Sequence, residues 1–231
     1  MTETDISNRD KVLLLWDIDG TLLDTGGIGV KPFTDAATKY LRREVAFNRT
    51  EMAGKTDFQI IDILSKQTQT NTLHKIVEYM ILKEYTSGLV NNLKINPVKL
   101  LGDTKFALSN LARSDFFELG ILTGNCKMGM RAKLKSAGIL DFFPPANIFC
   151  ASRKLRSREE ILSSALIQVK KKVIIIGDTP NDIHAARSCR RPIVSLATGA
   201  FSYEKLCSIN PNNVLDVGWT YDELLMKLSK L

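Results

Sequence analysis

A short apolar segment near the start of the chain ends in two acidic residues and a glycine. Residues 12–15 form a continuous run of valine and leucine, which is typical of a parallel strand that is covered on both faces. Asp17 and Asp19 follow this run, directly before Gly20. If the extended geometry continues, both carboxylates lie on the same side of the chain, where they repel each other unless a cation is present. Because open α/β sheets bind ligands at the carboxyl ends of their strands, the pattern predicts phosphoryl chemistry on a divalent metal ion.

Two further segments repeat this pattern of an apolar run that ends in polar residues. Residues 174–182 run from three isoleucines through a glycine to Asp178 and Asp182, and residues 117–125 end in the sequence Thr-Gly-Asn. Each segment alone is also the pattern of a helix N-terminus with its cap. Together, oxygen ligands from separate strand ends are what a Mg²⁺ ion with a bound phosphate requires. The three segments therefore predict one shared site.

The order of apolar and amphipathic segments predicts an α/β fold with a doubly wound parallel sheet. The predicted strands are residues 11–16, 117–122, 147–150, 173–176 and 193–196. The predicted helices of the same unit are residues 98–114, 127–137, 157–169, 181–190 and 221–230. The interval 25–95 has no strand pattern and contains amphipathic segments at 32–43, 57–65 and 73–90. We therefore predict a catalytic core of residues 1–24 and 96–231, with a helical cap domain inserted at residues 25–95.

These motifs resemble those of the haloacid dehalogenase-like hydrolase superfamily, and within it the phosphoglycolate phosphatase-like group with a helical cap. Residues 17–21, Asp-Ile-Asp-Gly-Thr, resemble the first motif, Thr123 the second, and residues 177–182 the fourth. The segment 53–57, Ala-Gly-Lys-Thr-Asp, is similar to the family's substrate-specificity loop. The resemblance covers nearly the whole chain and implies a Rossmann-like core with an α-helical cap.

The chain departs from the family's third motif, which is normally a lysine that is often followed by proline. Residues 152–162 contain no Lys-Pro pair. The resemblance implies a cation here, close to the nucleophile and the transferring phosphoryl group. Arg158, at the head of a predicted helix, is the first candidate, and Lys154 and Arg156 are alternatives. A guanidinium binds carboxylate and phosphate as a planar fork, whereas an ammonium acts as a point charge, so the exchange alters the chemistry.

The resemblance also implies a mechanism and its metal ligands. Asp17 is expected to attack phosphorus and form an aspartyl-phosphate. Asp19 is expected to protonate the leaving alkoxide and then to deprotonate the attacking water. Mg²⁺ is the implied cofactor, held by Asp17, the backbone carbonyl of Asp19 and Asp178. Asp182 is expected to orient this set of metal ligands.

Phosphate and substrate binding are expected from two other segments. The hydroxyl of Thr123 and the amides of Gly124 and Asn125 are expected to hold phosphate oxygens at a helix N-terminus. Lys55 and Thr56, in the segment that is similar to the specificity loop, are expected to contribute to substrate selection. A contact with a second anionic group of the substrate and a solvated surface position explain Lys55 equally well, and both stay open.

The predicted function is that of a Mg²⁺-dependent phosphatase that hydrolyses a small phosphorylated metabolite. Asp19 favours this reaction over dehalogenation, because a halide leaving group needs no acid. A phosphomutase is an alternative, since the same aspartyl-phosphate can be returned to a sugar hydroxyl. A module that binds a phosphorylated ligand without turnover is another, given the altered third motif.

Charge and hydropathy limit the binding partners and the cellular location that we expect for the protein. The 231 residues carry a formal net charge of +7. The basic residues are scattered and lack interleaved aromatic side chains, so a nucleic-acid partner is not expected, and an anionic small molecule explains part of the excess. No apolar run approaches the roughly 18 to 20 residues of a membrane span, and residues 1–10 lack the apolar core of a signal peptide. We therefore expect a cytoplasmic protein without a membrane partner, and the sequence gives no oligomeric state.

Overall fold

The fold is a parallel sheet with helices on both faces. A computed structural model describes residues 11–48, 50–68, 73–210 and 212–231 of the chain. The strands in these residues are β1 (Val12–Trp16), β2 (Leu23–Asp24), β3 (Lys99–Leu100), β4 (Phe117–Cys126), β5 (Ile148–Ala151), β6 (Val173–Gly177), β7 (Ile193–Leu196) and β8 (Val214–Leu215). The α-helices are α1 (Val30–Leu41), α2 (Asp57–Gln67), α3 (Lys75–Ile95), α4 (Thr104–Leu111), α5 (Lys127–Ser136), α6 (Arg158–Gln168), α7 (Pro180–Ser188), α8 (Tyr203–Ile209) and α9 (Tyr221–Leu228).

The strand order brings three polar strand ends together. Across the described residues, the main sheet has six strands in the order β5-β4-β1-β6-β7-β8, and all its neighbouring strands are parallel. β1 lies between β4 and β6, and Trp16 pairs with Ile121 on one side and Ile176 on the other. The segments that follow β1, β4 and β6 therefore meet at one edge of the sheet, as open α/β sheets require of a ligand site.

Side chains of β1 alternate between two apolar cores, one on each face of the sheet. Leu13 and Leu15 pack in the core that includes residues of α6, α7 and α8. Leu14 and Trp16 pack in the core that includes residues of α4, α5 and α9. All four side chains are buried, which explains the continuous apolar run in the sequence. The prediction of a doubly wound α/β fold is confirmed.

The helix predicted over residues 98–114 is wrong in its first part. β3 occupies Lys99–Leu100 and pairs antiparallel with β2, and α4 begins only at Thr104. Gly102 separates the two elements with a φ of +48°, a left-handed conformation that interrupts a helix. Its Cα faces the indole of Trp219, where a Cβ would lie 2.5 Å from Nε1. Tertiary packing thus overrides the apolar pattern of this segment.

The ends of several other elements also differ from the predictions. β4 continues to Cys126, past the predicted end at residue 122, because its last residues pair with β5 across an irregular register. β8 and α8 were not predicted, and their shortness explains why, since two to seven residues carry little periodic signal.

The predicted helical interval 25–95 contains α1, α2 and α3, which lie between β2 and β3 in the chain. α1 packs along α3, with the rings of Phe33 and Tyr85 4.7 Å apart between centroids. α2 begins with a capping box in which Thr56 Oγ1 accepts a hydrogen bond from the Gln59 amide, and Gln59 in turn accepts from the Thr56 amide. The division into core and cap domains at residues 24/25 and 95/96 stays a prediction.

Among the helices of the described ranges, none combines the length and the hydropathy that a bilayer-spanning segment needs.

We predict that Gly102→Ala destabilises the protein by about 2–5 kcal/mol, because a left-handed backbone and an overlap with Trp219 both oppose a side chain there. Gly138→Ala is the matched control. Gly138 also has a positive φ, of +65°, but a Cβ there meets no atom within 4 Å. The control should therefore cost only the backbone term of about 1–2 kcal/mol. Urea denaturation followed by tryptophan fluorescence measures both, and equal losses would show that the contact with Trp219 is not tight.

Candidate active site

Three aspartates gather where β1 and β6 end. Asp17 directly follows β1, Asp178 follows β6, and Asp182 lies in the first turn of α7. All three are nearly fully buried. One carboxylate oxygen of each lies within 4.8 Å of the other two. We name these residues the carboxylate cluster, and their convergence is the arrangement that the sequence motifs predict.

Local hydrogen bonds fix the orientation of the two aspartates after β6. Thr179 is the N-cap of α7. The amide and the hydroxyl of Thr179 donate hydrogen bonds to Asp182 Oδ2, at 3.0 Å and 2.7 Å. Thr21 Oγ1 donates to Asp178 Oδ1 at 2.9 Å. The backbone of Gly199 presses against Asp178 so closely that a Cβ there would overlap its Oδ2. Asp178 therefore has little freedom to turn away from Asp17.

Arg158 bridges the carboxylate cluster from the start of α6. Its Nη2 donates to Asp17 Oδ2 at 2.9 Å, and its Nη1 lies 2.7 Å from Asp182 Oδ1 in an ion pair without hydrogen-bond geometry. The guanidinium is itself buried, and its planar fork suits contact with two carboxylates. One guanidinium among three carboxylates leaves a formal excess of two negative charges when all are ionised.

Burial and this excess charge together shift the pKa values of Asp17 and Asp178. Burial raises the pKa of Asp17 to about 6 against the opposing charge of Arg158. Burial, together with the charges of Asp17 and Asp182, raises the pKa of Asp178 well above its usual value. Asp17 Oδ1 is buried and finds no hydrogen-bond partner among the residues that the structure describes. Such a set of hard, crowded oxygen atoms fits a divalent cation, which would relieve the repulsion and satisfy Oδ1.

Asp19 belongs to a separate, charge-balanced group. Its Oδ2 accepts hydrogen bonds from Lys133 Nζ at 2.6 Å and Asn125 Nδ2 at 2.7 Å. Lys133 Nζ also donates to Asn125 Oδ1 at 2.6 Å. Burial alone would raise the pKa of Asp19, but Lys133 and Asn125 outweigh it and lower that pKa. The side chain of Asp19 remains 38% exposed, so its carboxylate is open to the cavity.

Lys133 is the principal residue of the site that the sequence analysis missed. It lies on α5 and is buried together with Met130 and Leu134. Its position three residues after Met130 and one before Leu134 puts it on the apolar face of the helix, which is an unusual place for a lysine. That periodic signal was present in the sequence and could have identified it.

The structure separates the three basic candidates for the third motif. Arg158 alone of these contacts Asp17. Arg156 instead joins the helical interval, with ion pairs to Asp62 at 2.5 Å and Glu78 at 3.0 Å. Lys154 is exposed. The geometry therefore favours Arg158, whose catalytic role stays a prediction.

The Thr-Gly-Asn segment lies at the end of β4 and leads directly into the N-terminus of α5, whose N-cap is Cys126. Thr123, Gly124 and Asn125 belong to β4, and α5 begins at Lys127. Thr123 is fully buried, and its Oγ1 accepts hydrogen bonds from the amide and the side chain of Asn125. Gly124 and Asn125 line the cavity. The β conformation of the segment explains how Asn125 reaches Asp19.

The 53–57 segment closes over this strand end. A Cβ on Gly124 would lie 3.0 Å from both the Lys55 carbonyl oxygen and Thr56 Cα, so a larger residue would have to displace this backbone by a few tenths of an ångström. Thr56 is buried at the N-cap of α2, and its Oγ1 donates to the Arg156 carbonyl oxygen at 2.5 Å. Its hydroxyl therefore serves the structure of this segment, contrary to the expected substrate contact. Lys55 lines a cavity of about 430 Å³, which Asp178 and Arg158 also line.

Solved structures share this architecture. A predicted phosphatase from Clostridium acetobutylicum aligns with a TM-score of 0.72 at 21% identity, over 96% of this chain and 99% of the other. A β-phosphoglucomutase from Clostridium difficile aligns with a TM-score of 0.71 at 16% identity, over 95% and 97%. A predicted phosphoglycolate phosphatase from Haemophilus somnus 129pt aligns with a TM-score of 0.66 at 19% identity, over 94% of this chain and 97% of the other. At these identities the likeness establishes the fold.

Family membership follows from the sequence itself. No curated protein matches the chain significantly. The family model described as haloacid dehalogenase-like hydrolase matches residues 14–194, which include every residue of the carboxylate cluster, Asp19, Lys133 and Arg158. The resemblance that the motifs indicated is thereby confirmed: the chain belongs to the haloacid dehalogenase-like hydrolase family.

Proposed function

We propose that this protein is a Mg²⁺-dependent phosphatase that hydrolyses a phosphate monoester through an aspartyl-phosphate on Asp17. The observation that carries the proposal is the state of the Asp17 carboxylate. One oxygen is held by Arg158, while the other is buried and has no partner among the described residues. A cation on the uncommitted oxygen would leave the oxygen beside Arg158, a residue that lines the cavity, to attack phosphorus.

The metal ligands in this proposal are Asp17, Asp178 and the backbone carbonyl of Asp19. Asp182 is committed to Thr179 and Arg158, so it orients the cluster. Mg²⁺, when bound, supplies positive charge that offsets the charge of the phosphoryl group.

The reaction divides into two displacements. Asp17 forms a bond to phosphorus while the ester P–O bond breaks, and the alcohol leaves with a proton from Asp19. Asp19 then takes a proton from water, the water oxygen bonds to phosphorus, and the bond between phosphorus and Asp17 breaks. Inorganic phosphate and the alcohol are the products. The phosphate leaves with the proton that Asp19 took from water, so both carboxylates return to their starting state.

The surroundings of Asp19 suit the second displacement most directly. Lys133 and Asn125 outweigh the effect of burial and lower its pKa, which favours the carboxylate form that the second displacement requires. For the first displacement it needs a proton, which an ester monoanion can bring on its phosphate group. Lys133 is a positioning residue in this scheme, because its ammonium group holds the Asp19 carboxylate.

Asp17→Asn should lower kcat for p-nitrophenyl phosphate by at least a thousandfold, because the nucleophile is lost. Asp19→Asn should still release about one p-nitrophenol per protein, since this phenol leaves without an acid, and then stall before water attack. Borohydride reduction and peptide mass spectrometry should locate the trapped phosphate on Asp17. Asp35→Asn, an exposed carboxylate on α1, is the control and should behave as the wild type. Hydrolysis that survives in Asp17→Asn would refute the mechanism, and a wild type that releases no phosphate would favour a binding module.

Mg²⁺ should raise the melting temperature of the wild-type protein, as a ligand at 100 times its Kd adds about 2.7 kcal/mol. Asp178→Asn should abolish this response. Without metal the same variant should melt at a higher temperature than the wild type, because it removes one excess negative charge from the cluster. Asp35→Asn again serves as the control. Differential scanning calorimetry measures these melting temperatures. If Mg²⁺ still raised the melting temperature of Asp178→Asn as much as that of the wild type, the cation would bind elsewhere.

Arg158→Lys should lower kcat by about ten- to a hundredfold, because an ammonium cannot span Asp17 and Asp182 as the guanidinium does. Lys154→Gln, at an exposed position four residues before α6 begins, should stay within twofold of the wild type. Steady-state hydrolysis of p-nitrophenyl phosphate checks both variants. A larger loss in Lys154→Gln than in Arg158→Lys would assign the third motif to Lys154.

A further inference from the structure

The cavity beside the carboxylate cluster has two chemically different walls. The core contributes charged side chains, including those of Asp19, Lys133 and Arg158. The helical interval contributes a wall that is mainly apolar and aromatic. The larger apolar and aromatic side chains of this wall are those of Val30, Phe33, Phe47, Met52, Ile60 and Tyr85, which we name the apolar wall.

Three rings of the apolar wall pack as one cluster. The centroid of Phe33 lies 4.7 Å from that of Tyr85 and 5.8 Å from that of Phe47, the second pair being edge to face. Burial raises the pKa of Tyr85 well above its usual value, with smaller effects from nearby charges, so its ring stays neutral. Such a cluster offers the geometry in which a further ring packs favourably.

Fewer polar than apolar side chains line this side of the cavity. The polar ones from the helical interval, apart from the Tyr85 hydroxyl, are Thr25, Thr50, Lys55 and Asp57. Asp57 is buried and accepts a hydrogen bond from the Cys126 amide at 2.7 Å. A sugar or a dicarboxylate would leave several hydroxyl or carboxylate groups against the apolar wall, and burying such groups without partners is costly.

The size of the cavity points the same way. Its 430 Å³ correspond to the volume of about 14 water molecules in the liquid. This lies within the range of sites that accept drug-sized ligands, roughly 300–1,000 Å³. A substrate as small as glycolate phosphate would leave water between itself and the aromatic rings, and the apolar wall would contribute nothing to its binding.

We propose that the preferred substrates are phosphate monoesters of alcohols that carry an aromatic or similarly flat apolar group, which packs against the apolar wall while the phosphate lies at Asp17. The proposal rests on the proposed phosphatase function and specifies its substrate class. The reaction is unchanged: the ester P–O bond breaks, the aromatic alcohol leaves with the Asp19 proton, and the water oxygen ends on phosphate.

The test compares esters whose leaving alcohols differ mainly in the apolar group. We expect kcat/KM for 2-phenylethyl phosphate to exceed that for ethyl phosphate, 2-phosphoglycolate and glucose 6-phosphate by at least tenfold. Competitive inhibition supplies a readout that does not depend on turnover of these esters. Benzylphosphonate should inhibit p-nitrophenyl phosphate hydrolysis with a Ki at least tenfold below that of ethylphosphonate.

A variant of the apolar wall ties the preference to this surface. Phe47→Ala should reduce the ratio of kcat/KM for 2-phenylethyl over ethyl phosphate by about tenfold. Phe47→Leu, which keeps an apolar side chain but loses the ring, protects the test if the alanine variant does not fold, and it should reduce the ratio in the same direction. Phe116→Ala is the control, because that ring is 76% exposed outside the cavity, and it should leave the ratio unchanged.

The possible failures are distinguishable. If no ester is hydrolysed and p-nitrophenyl phosphate is also stable, the proposed function fails. If p-nitrophenyl phosphate is hydrolysed but ethyl and 2-phenylethyl phosphate react equally well, the substrate class is wrong and the function stands. A preference for 2-phosphoglycolate would likewise overturn the substrate class, and it would assign Lys55 to a second anionic group.

Discussion

Uncompensated negative charge at the ends of β1 and β6 is the constraint on which the site depends. Asp17, Asp178 and Asp182 are buried within reach of one another, and Arg158 offsets only one of their charges. Repulsion of this kind destabilises the free protein, because buried like charges disfavour each other's ionisation. Hydrogen bonds from Thr21 to Asp178, and from Thr179 to Asp182 in the α7 capping box, nevertheless hold these carboxylates in place. The cation and the phosphoryl group that we propose for this site would explain the arrangement.

The parallel sheet and the helical interval contribute different parts of the site. The sheet fixes the reacting groups, because the order β4-β1-β6 places three strand ends side by side. The helical interval brings the apolar wall over them, and its contacts with the core are close at Gly124 and at Arg156. In the proposed function, the reacting groups lie at the strand ends and at the starts of the helices that follow them, and the helical interval supplies the selectivity. The same core could serve other alcohols if the wall were changed.

The sequence predicted the features that depend on local pattern, and it missed those that depend on distant contacts. Continuous apolar runs before Asp17 and Asp178 identified two strands and their polar ends correctly. By contrast, the turn at Gly102 depends on Trp219, more than a hundred residues later, so the apolar pattern alone suggested a helix. Lys133 was missed because its partner Asp19 is equally remote, although its place on the buried face of α5 was readable. Arg158 was already the first candidate for the third motif, and the fold adds that it contacts Asp17 whereas Arg156 pairs with the helical interval.

The most direct test of this account is a crystal structure grown with Mn²⁺ in place of Mg²⁺ and with beryllofluoride as a phosphoryl mimic. Anomalous scattering from Mn²⁺ locates the cation independently of the protein atoms. The account predicts the ion in contact with Asp17, Asp178 and the Asp19 carbonyl, beryllium bonded to Asp17, and a fluorine within hydrogen-bond distance of Arg158. A cation bound away from the carboxylate cluster, or beryllofluoride on another residue, would contradict it.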